Sequence, residues 1–245
     1  MKMLRECPEH GYFRGDVCPI CGEEGRFLMN DHEMESLGKT LAGALRHFPS
    51  RFNLDMDRHG WVSLTDFVRS LTRKQRRFKW VRPYHITALI ETDPKGRYQE
   101  LNGRIRATYG HSIDLDLDLP TDDIPEKLYF PTDEGEIDEI LENGITKHDR
   151  KMVHLSGTYE AAMAAGRVRT RDPIILEVDA EGAIESGIII MHAGKFVYIT
   201  DAIPPEFLAI IKKNTEDEAT EEEQPGEEQA SEEEDEVPPE EKGEE

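Results

Sequence analysis

The chain has 245 residues, 37% of them hydrophobic, and a formal net charge of −22. This length suits one or two compact domains with appendages, and no apolar run is long enough for a transmembrane helix. Three cysteines, all before residue 22, do not make a disulfide framework and point toward metal instead.

Met1–Glu6 lacks the apolar core of a signal peptide, so a soluble, cytoplasmic protein is expected. Residues 1–30 read as a small module. Cys7 and His10 stand as C-x2-H, and Cys18 and Cys21 follow in C-P-I-C-G. Two short loops with two ligands each are what one tetrahedral zinc ion needs; reduced structural cysteines are the alternative. Four protein ligands leave no open coordination position, so the metal would serve folding in a module with little core of its own.

From Met34, the residues Leu37, Leu41, Leu45 and Phe48 fall on one face of a helix that stops before Pro49. Arg46 and His47 lie in its last turn, where the helix dipole favours positive charge. Gly60–Val62 reads as a short strand, and Ser63–Asp66 as a capped start to a helix reaching about Leu71. Residues 73–79 form a basic patch, either a contact for an RNA backbone or a solvated loop. Residues 82–92 predict a third helix opened by Pro83. Arg97–Leu101 and Arg104–Tyr109 flank Asn102-Gly103, a strong hairpin signal. Helices followed by a hairpin predict a winged-helix-like lobe over 31–111, an arrangement that serves nucleic-acid reading or other interactions.

After Ser112 the texture changes. Ile113, Leu115, Leu117 and Leu119 alternate with Asp114, Asp116 and Asp118, which predicts a half-buried strand. Gly135–Asn143 predicts a helix ended by Gly144. Lys151–Ser156 reads as a strand and Gly157–Ala165 as a helix. Ile174–Val178, Ile188–Met191 and Phe196–Thr200 read as strands, and Pro204–Lys213 as a last helix. The pattern predicts an α+β lobe over 112–213 around an antiparallel or split sheet. Residues 214–245 hold 17 acidic residues and one lysine, so −16 of the charge sits there and −6 in residues 1–213. That tail has no aromatic residue and should be disordered. It is most simply a solubility segment, and could also compete with RNA for a basic cleft.

Arg104 and Arg106 are two apart on one predicted strand and share a face. Alone they would read as solvated surface arginines, as would Arg46 and the series Arg167, Arg169 and Arg171. Taken together, however, several segments resemble the NAD-dependent RNA 2′-phosphotransferase family. They are L-x-x-x-L-R-H at 41–47 with L-D-x-x-x-x-G-W-V at 54–62, R-I-R-A-x-x-G-H-S at 104–112, H-L-S at 154–156 and R-x-x-x-P-I-I-L at 169–176. The resemblance spans about residues 36–208. The zinc ligands and acidic tail lie outside the family's shared core, and a zinc-like N-terminus is compatible with an archaeal member.

The resemblance implies a winged-helix-like N-lobe, an ADP-ribosyltransferase-like C-lobe that holds NAD, and an RNA bearing an internal 2′-phosphate in the cleft between them. It implies a basic set of Arg46, His47, Arg104, Arg106 and Arg169. Arg167 and Arg171 leave the register of the last open by two, and the spacing to Pro173 favours Arg169. His111, Ser112, Thr132, His154 and Ser156 are the candidates for NAD contacts, with a backbone-satisfied strand histidine as the alternative for His154. One departure stands out: where the family has Leu-Tyr-His-Gly-Thr, this chain reads Leu128-Tyr129-Phe130-Pro131-Thr132, so Phe130 replaces a histidine that would help hold NAD.

The implied reaction has two steps. The RNA 2′-phosphate attacks the anomeric carbon of the nicotinamide ribose and nicotinamide leaves; the neighbouring 2″-hydroxyl then attacks phosphorus. The first nucleophile is already an anion, so orientation by arginine forks matters more than a strong base. Fixed guanidiniums would stabilise the anionic second transition state. His47 is the member of the basic set able to shuttle a proton near neutral pH, or it acts by charge alone. Two rivals stay open: a zinc-ribbon and winged-helix regulator without catalysis, and an ADP-ribosyltransferase acting on another phosphate end or on protein. A monomer is expected.

Overall fold

The computed structural model describes residues 3–147 and 151–211; the tail expected to be disordered, 214–245, lies outside them. Residues up to Ile211 pack as one compact unit.

Three short strands, β1 (Leu4–Cys7), β2 (Gly11–Arg14) and β3 (Arg26–Met29), open the chain as an antiparallel sheet in the order β2-β1-β3. Four-residue strands between turns leave little alternation to read, and the sequence did not announce them. Leu4, Leu28 and Met29 are buried in the same core as the helices that follow, while Cys7, Phe13 and Cys18 form a small cluster of their own.

Helix α1 (Asp31–Arg46) starts three residues before the first expected turn, because Asn30 caps it. The Glu33 amide donates to Asn30 Oδ1 at 2.9 Å and the Asn30 amide to Glu33 Oε2 at 2.9 Å, a reciprocal capping box. Leu37, Leu41 and Leu45 are fully buried on the predicted face. Phe48 is not part of that face: the helix ends at Arg46 and Phe48 is exposed, under the Arg51 guanidinium. Then come β4 (Val62–Ser63), α2 (Leu64–Lys74) capped by the Ser63 hydroxyl, and α3 (Pro83–Glu91) with proline at its first turn. The hairpin of β5 (Tyr98–Leu101) and β6 (Arg104–Ala107) turns through Asn102 and Gly103, both at positive φ, and β4 pairs with β6. Phe67, Leu71, Ile86 and Ile105 fill the core beneath.

The segment 113–119 is a correction. Its alternation is real, with Ile113, Leu115 and Leu117 half-buried and the three aspartates exposed, but it joins no sheet. It runs as an extended connection, tied by the Asp116 amide to the Arg58 carbonyl at 2.9 Å, and ends with Leu119 buried against Ala193 and Ile199. Alternation reports which side is covered; it does not supply a neighbouring strand.

The rest of the chain builds a six-stranded sheet from β7 (Lys127–Thr132), β8 (Val153–Ser156), β9 (Ile174–Asp179), β10 (Met191–Gly194), β11 (Val197–Thr200) and β12 (Leu208–Ile210). The order is β10-β11-β8-β7-β9-β12, antiparallel throughout. Helices α4 (Ile137–Asn143), α5 (Tyr159–Gly166) and α6 (Ala180–Glu185) pack around it, with Leu128, Leu155, Leu176 and Val178 in the core. The helix expected at 204–213 is instead a single turn at Pro205–Phe207 followed by edge strand β12, because β9 needs an outer partner; Lys212 and Lys213 lie outside the described residues. The strand expected at 188–191 sits three residues later. The whole is α+β, and no described helix is long and apolar enough to cross a membrane.

Candidate active site

The end of β1 and the turn after it carry Cys7 and His10; the loop before β3 carries Cys18 and Cys21. Their four ligand atoms all lie within 4.8 Å of one another. Cys7 Sγ is 3.7 Å from Cys21 Sγ and 3.3 Å from His10 Nδ1, and Cys18 Sγ is 3.7 Å from His10 Nδ1. A tetrahedron with zinc–sulfur bonds of about 2.3 Å has edges of about 3.8 Å, so this soft nitrogen–sulfur set has the right size for zinc.

A second assembly forms where α1 ends against the junction between the hairpin and the extended segment. The Ser112 amide donates to the Arg46 carbonyl at 3.1 Å, and the Ser112 hydroxyl lies 2.9 Å from His47 Nδ1. Gly110, at φ +79°, lets the chain pass over Arg46; a Cβ there would stand 3.3 Å from the guanidinium carbon. The guanidinium lies 5.0 Å from the Tyr109 ring centroid and 5.7 Å from that of Tyr98. Its Nε and Nη2 are buried and have no hydrogen-bond partner. Neighbouring His111 also has a buried Nε2 without a partner. Burial, then the charges of Arg46, His47, His154 and Arg106, push the His111 pKa down to about 4. Buried donors with nothing to bond are costly unless a ligand completes them, and this surplus of positive charge calls for an anion.

The hairpin arginines are built differently. Arg104 and Arg106 share a face, as expected, and both turn toward the loop 57–61. Arg104 pairs with Asp57 at 2.8 Å and donates to the Trp61 carbonyl at 3.1 Å. Arg106 is 4% exposed, lies under the Trp61 ring at 4.4 Å, and donates to Gln99 Oε1 at 2.8 Å and the His59 carbonyl at 3.2 Å. It also pairs with Asp118. The Arg106 hydrogen bond holds the Asp118 carboxyl below its ordinary pKa. For Asp57 burial acts upward, but the Trp61 and His59 amides and Arg104 outweigh it and the pKa is lowered.

Beyond Tyr109 opens a cleft of about 770 Å³ over the C-terminal sheet. His154 and Ser156, two apart on β8, line it together with Phe130, Val168 and Arg169. Arg169 follows α5 and meets Glu136 at 3.2 Å. Thr132 ends β7, buried, with its hydroxyl lacking a partner, and is not among the residues lining the cleft. The structure thus gathers Arg46, His47, His111 and Ser112 at one corner and His154, Ser156 and Arg169 along the cleft, with Arg104 held apart by Asp57. Sequence reasoning passed over Tyr109, which lies inside the R-I-R-A-x-x-G-H-S segment at a position the motif leaves open. It also passed over Asp57, Asp118 and Glu136, whose only signal was their charge.

Known proteins resemble this chain over most of its length. The pattern described as "RNA 2'-phosphotransferase, Tpt1 / KptA family" matches residues 32–202. A Methanosarcina barkeri protein named "Probable RNA 2'-phosphotransferase" is 43% identical over 211 residues, 86% of this chain and all of that protein. A namesake from Thermoplasma acidophilum is 44% identical over 209 residues, covering 85% of this chain and 88% of the relative. "Probable RNA 2'-phosphotransferase 2" of Archaeoglobus fulgidus is 34% identical over 204 residues, 80% and 92% of the two chains.

Proposed function

Since the chain belongs to the RNA 2′-phosphotransferase, Tpt1/KptA family and is such an enzyme, we propose that the corner at Arg46 receives the RNA phosphate and the 770 Å³ cleft receives NAD. The enzyme moves an internal 2′-phosphate from RNA onto NAD through an ADP-ribosylated RNA, releasing 2′-hydroxyl RNA, nicotinamide and ADP-ribose 1″,2″-cyclic phosphate. NAD supplies the electrophilic ribose carbon and, later, the hydroxyl that accepts phosphorus.

The observation that carries the placement is the pair of buried, unpartnered donors on Arg46 beside the unpartnered His111 Nε2. Arg46 orients the phosphate through two donors of its planar fork. His47, held by the Ser112 hydroxyl, serves as a proton shuttle or a fixed charge. Arg106 adds positive charge from beneath Trp61, and Arg104 reaches a phosphate only by exchanging Asp57 for it. Arg169 and Glu136 border the NAD cleft with His154 and Ser156. Phe130 gives that cleft an apolar patch where the family histidine would donate a hydrogen bond. His111 and Ser112 stand at the phosphate corner, so their NAD contacts are to the ribose end where the two substrates meet; Thr132 acts from behind the cleft wall.

In this reading residues 31–111 are a winged-helix-like RNA lobe, 112–213 an ADP-ribosyltransferase-like lobe built on the six-stranded sheet, and 1–30 a module stapled by zinc on Cys7, His10, Cys18 and Cys21. The zinc supplies folding stability only. The test is turnover of an oligoribonucleotide with an internal 2′-phosphate in the presence of NAD. Release of nicotinamide together with loss of the phosphate is expected from the intact enzyme and not from Arg46→Ala. Full activity of Arg46→Ala would remove the corner from the mechanism.

A further inference from the structure

Arg46 presents a problem that the hairpin arginines do not. A guanidinium with two buried nitrogens needs something to hold it, yet any carboxylate that held it would occupy the in-plane N–H groups a phosphate requires. Asp118 on Arg106 and Asp57 on Arg104 show what that kind of fixing looks like. An aromatic face holds a guanidinium from above, by its quadrupole, and leaves the in-plane donors free.

Tyr109 is placed to do this. Its ring lies 5.0 Å from the Arg46 guanidinium carbon and 5.9 Å, edge to face, from the His154 ring. It borders both the 770 Å³ cleft and a smaller cavity of about 170 Å³ that His111 also lines. Its own seat is fixed from the far side. Gly194, at the end of β10, leaves the slot: a Cβ there would stand 2.8 Å from Tyr109 Cε1. The Lys195 amide donates to the Lys95 carbonyl at 3.1 Å and closes the loop over it. Burial raises the Tyr109 pKa, so the phenol stays protonated and cannot itself pair with Arg46 as an anion.

We propose that Tyr109 is a positioning residue of the transfer reaction: its ring face holds Arg46 in place with two guanidinium donors left unpaired for the 2′-phosphate. It is the wall between the phosphate corner and the NAD cleft, and it gives the enzyme its preference for phosphorylated over unphosphorylated RNA. This rests on the assignment of Arg46 to the phosphate.

The experiment compares Tyr109→Phe, Tyr109→Met and Tyr109→Leu in the full-length enzyme. The readout is the ratio of Kd values for matched oligoribonucleotides with and without the internal 2′-phosphate, which does not depend on the folded fraction. Tyr109→Phe keeps the ring face and should keep the ratio. Tyr109→Met and Tyr109→Leu should each lower it about tenfold, the scale of a desolvated cation–π contact. A ratio unchanged in both aliphatic variants but lost in Arg46→Ala overturns the role of Tyr109 alone. A ratio lost equally in Tyr109→Phe shows that the hydroxyl matters rather than the face, and also overturns it. A ratio unchanged in Arg46→Ala overturns the phosphate assignment beneath it.

Discussion

Two groups of arginines drawn from the same family-like motifs are treated in opposite ways. At the end of α1, Arg46 is held by rings and glycine and keeps two buried donors without partners. On the hairpin, Arg104 and Arg106 are met by Asp57 and Asp118, by backbone carbonyls and by Gln99. The difference teaches how to tell a binding charge from a wiring charge. A satisfied guanidinium stabilises a local structure and reaches a ligand only by giving up a partner; an unsatisfied one gains its missing bonds when the ligand arrives.

The sharpest way to break this contrast is Arg46→Ala. Loss of a donor used in the transition state costs about 10²–10³ in rate, so kcat should fall by that factor while the thermal midpoint holds steady or rises, since two buried nitrogens without partners are removed. A drop in stability with little loss of kcat would place Arg46 with the wiring charges. Arg106→Ala should behave in the mixed way that its burial implies. It leaves Gln99 and the His59 carbonyl short of a donor, so both the thermal midpoint and turnover should fall, by roughly 1–3 kcal/mol in stability. Loss of turnover alone would move Arg106 into the same class as Arg46.

A third test uses pH. The folded pKa of His111 is about 4, below its ordinary value of 6.5. The unfolded chain therefore binds more protons between pH 6.5 and 4, and stability falls as pH drops through that window. His111→Gln should flatten that part of a stability-against-pH curve measured by denaturant titration. An unchanged slope would show that His111 is not held neutral. Binding of 2′-phosphorylated RNA should bring negative charge to the corner and raise this pKa, visible as proton uptake at pH 5 in calorimetry with two buffers. The smallest effect is expected at the hairpin's outer pair. Asp57 and Arg104 are both partly exposed, and such pairs contribute about 0–1 kcal/mol. Arg104→Ala should thus shift the midpoint barely at all, and any large loss of turnover would show that Arg104 leaves Asp57 for the substrate.

Much of the framework was legible from spacing. The leucines of α1, the capped start of α2, Pro83 at α3 and the Asn-Gly hairpin are local signals, and each element formed close to where its signal stood. The Cys7, His10, Cys18 and Cys21 set was equally readable, because two-residue spacing puts paired ligands on one short loop. The failures share a cause. The alternating run from Ile113 to Leu119 became a connection, and the apolar stretch after Pro204 became strand β12, because a strand exists only where a partner edge is vacant. Leu208–Ile210 found such an edge on β9; Leu115 and its neighbours did not.

Which residues carry charge, ring and thiol, and in what order, is a property of the chain before it folds, and that order was enough to bring out the family. It could not say which arginine is free. That depends on what stands opposite each guanidinium: a carboxylate 12 residues away for Arg106, a ring 63 residues away for Arg46. Such partners are chosen by the packing of α1 against the hairpin and of Tyr109 against Gly194 at the end of β10. Electrostatic and hydrogen-bond satisfaction act over a few ångströms of space, whatever the separation along the chain, so which guanidinium keeps unpaired donors follows from packing and not from the order of residues.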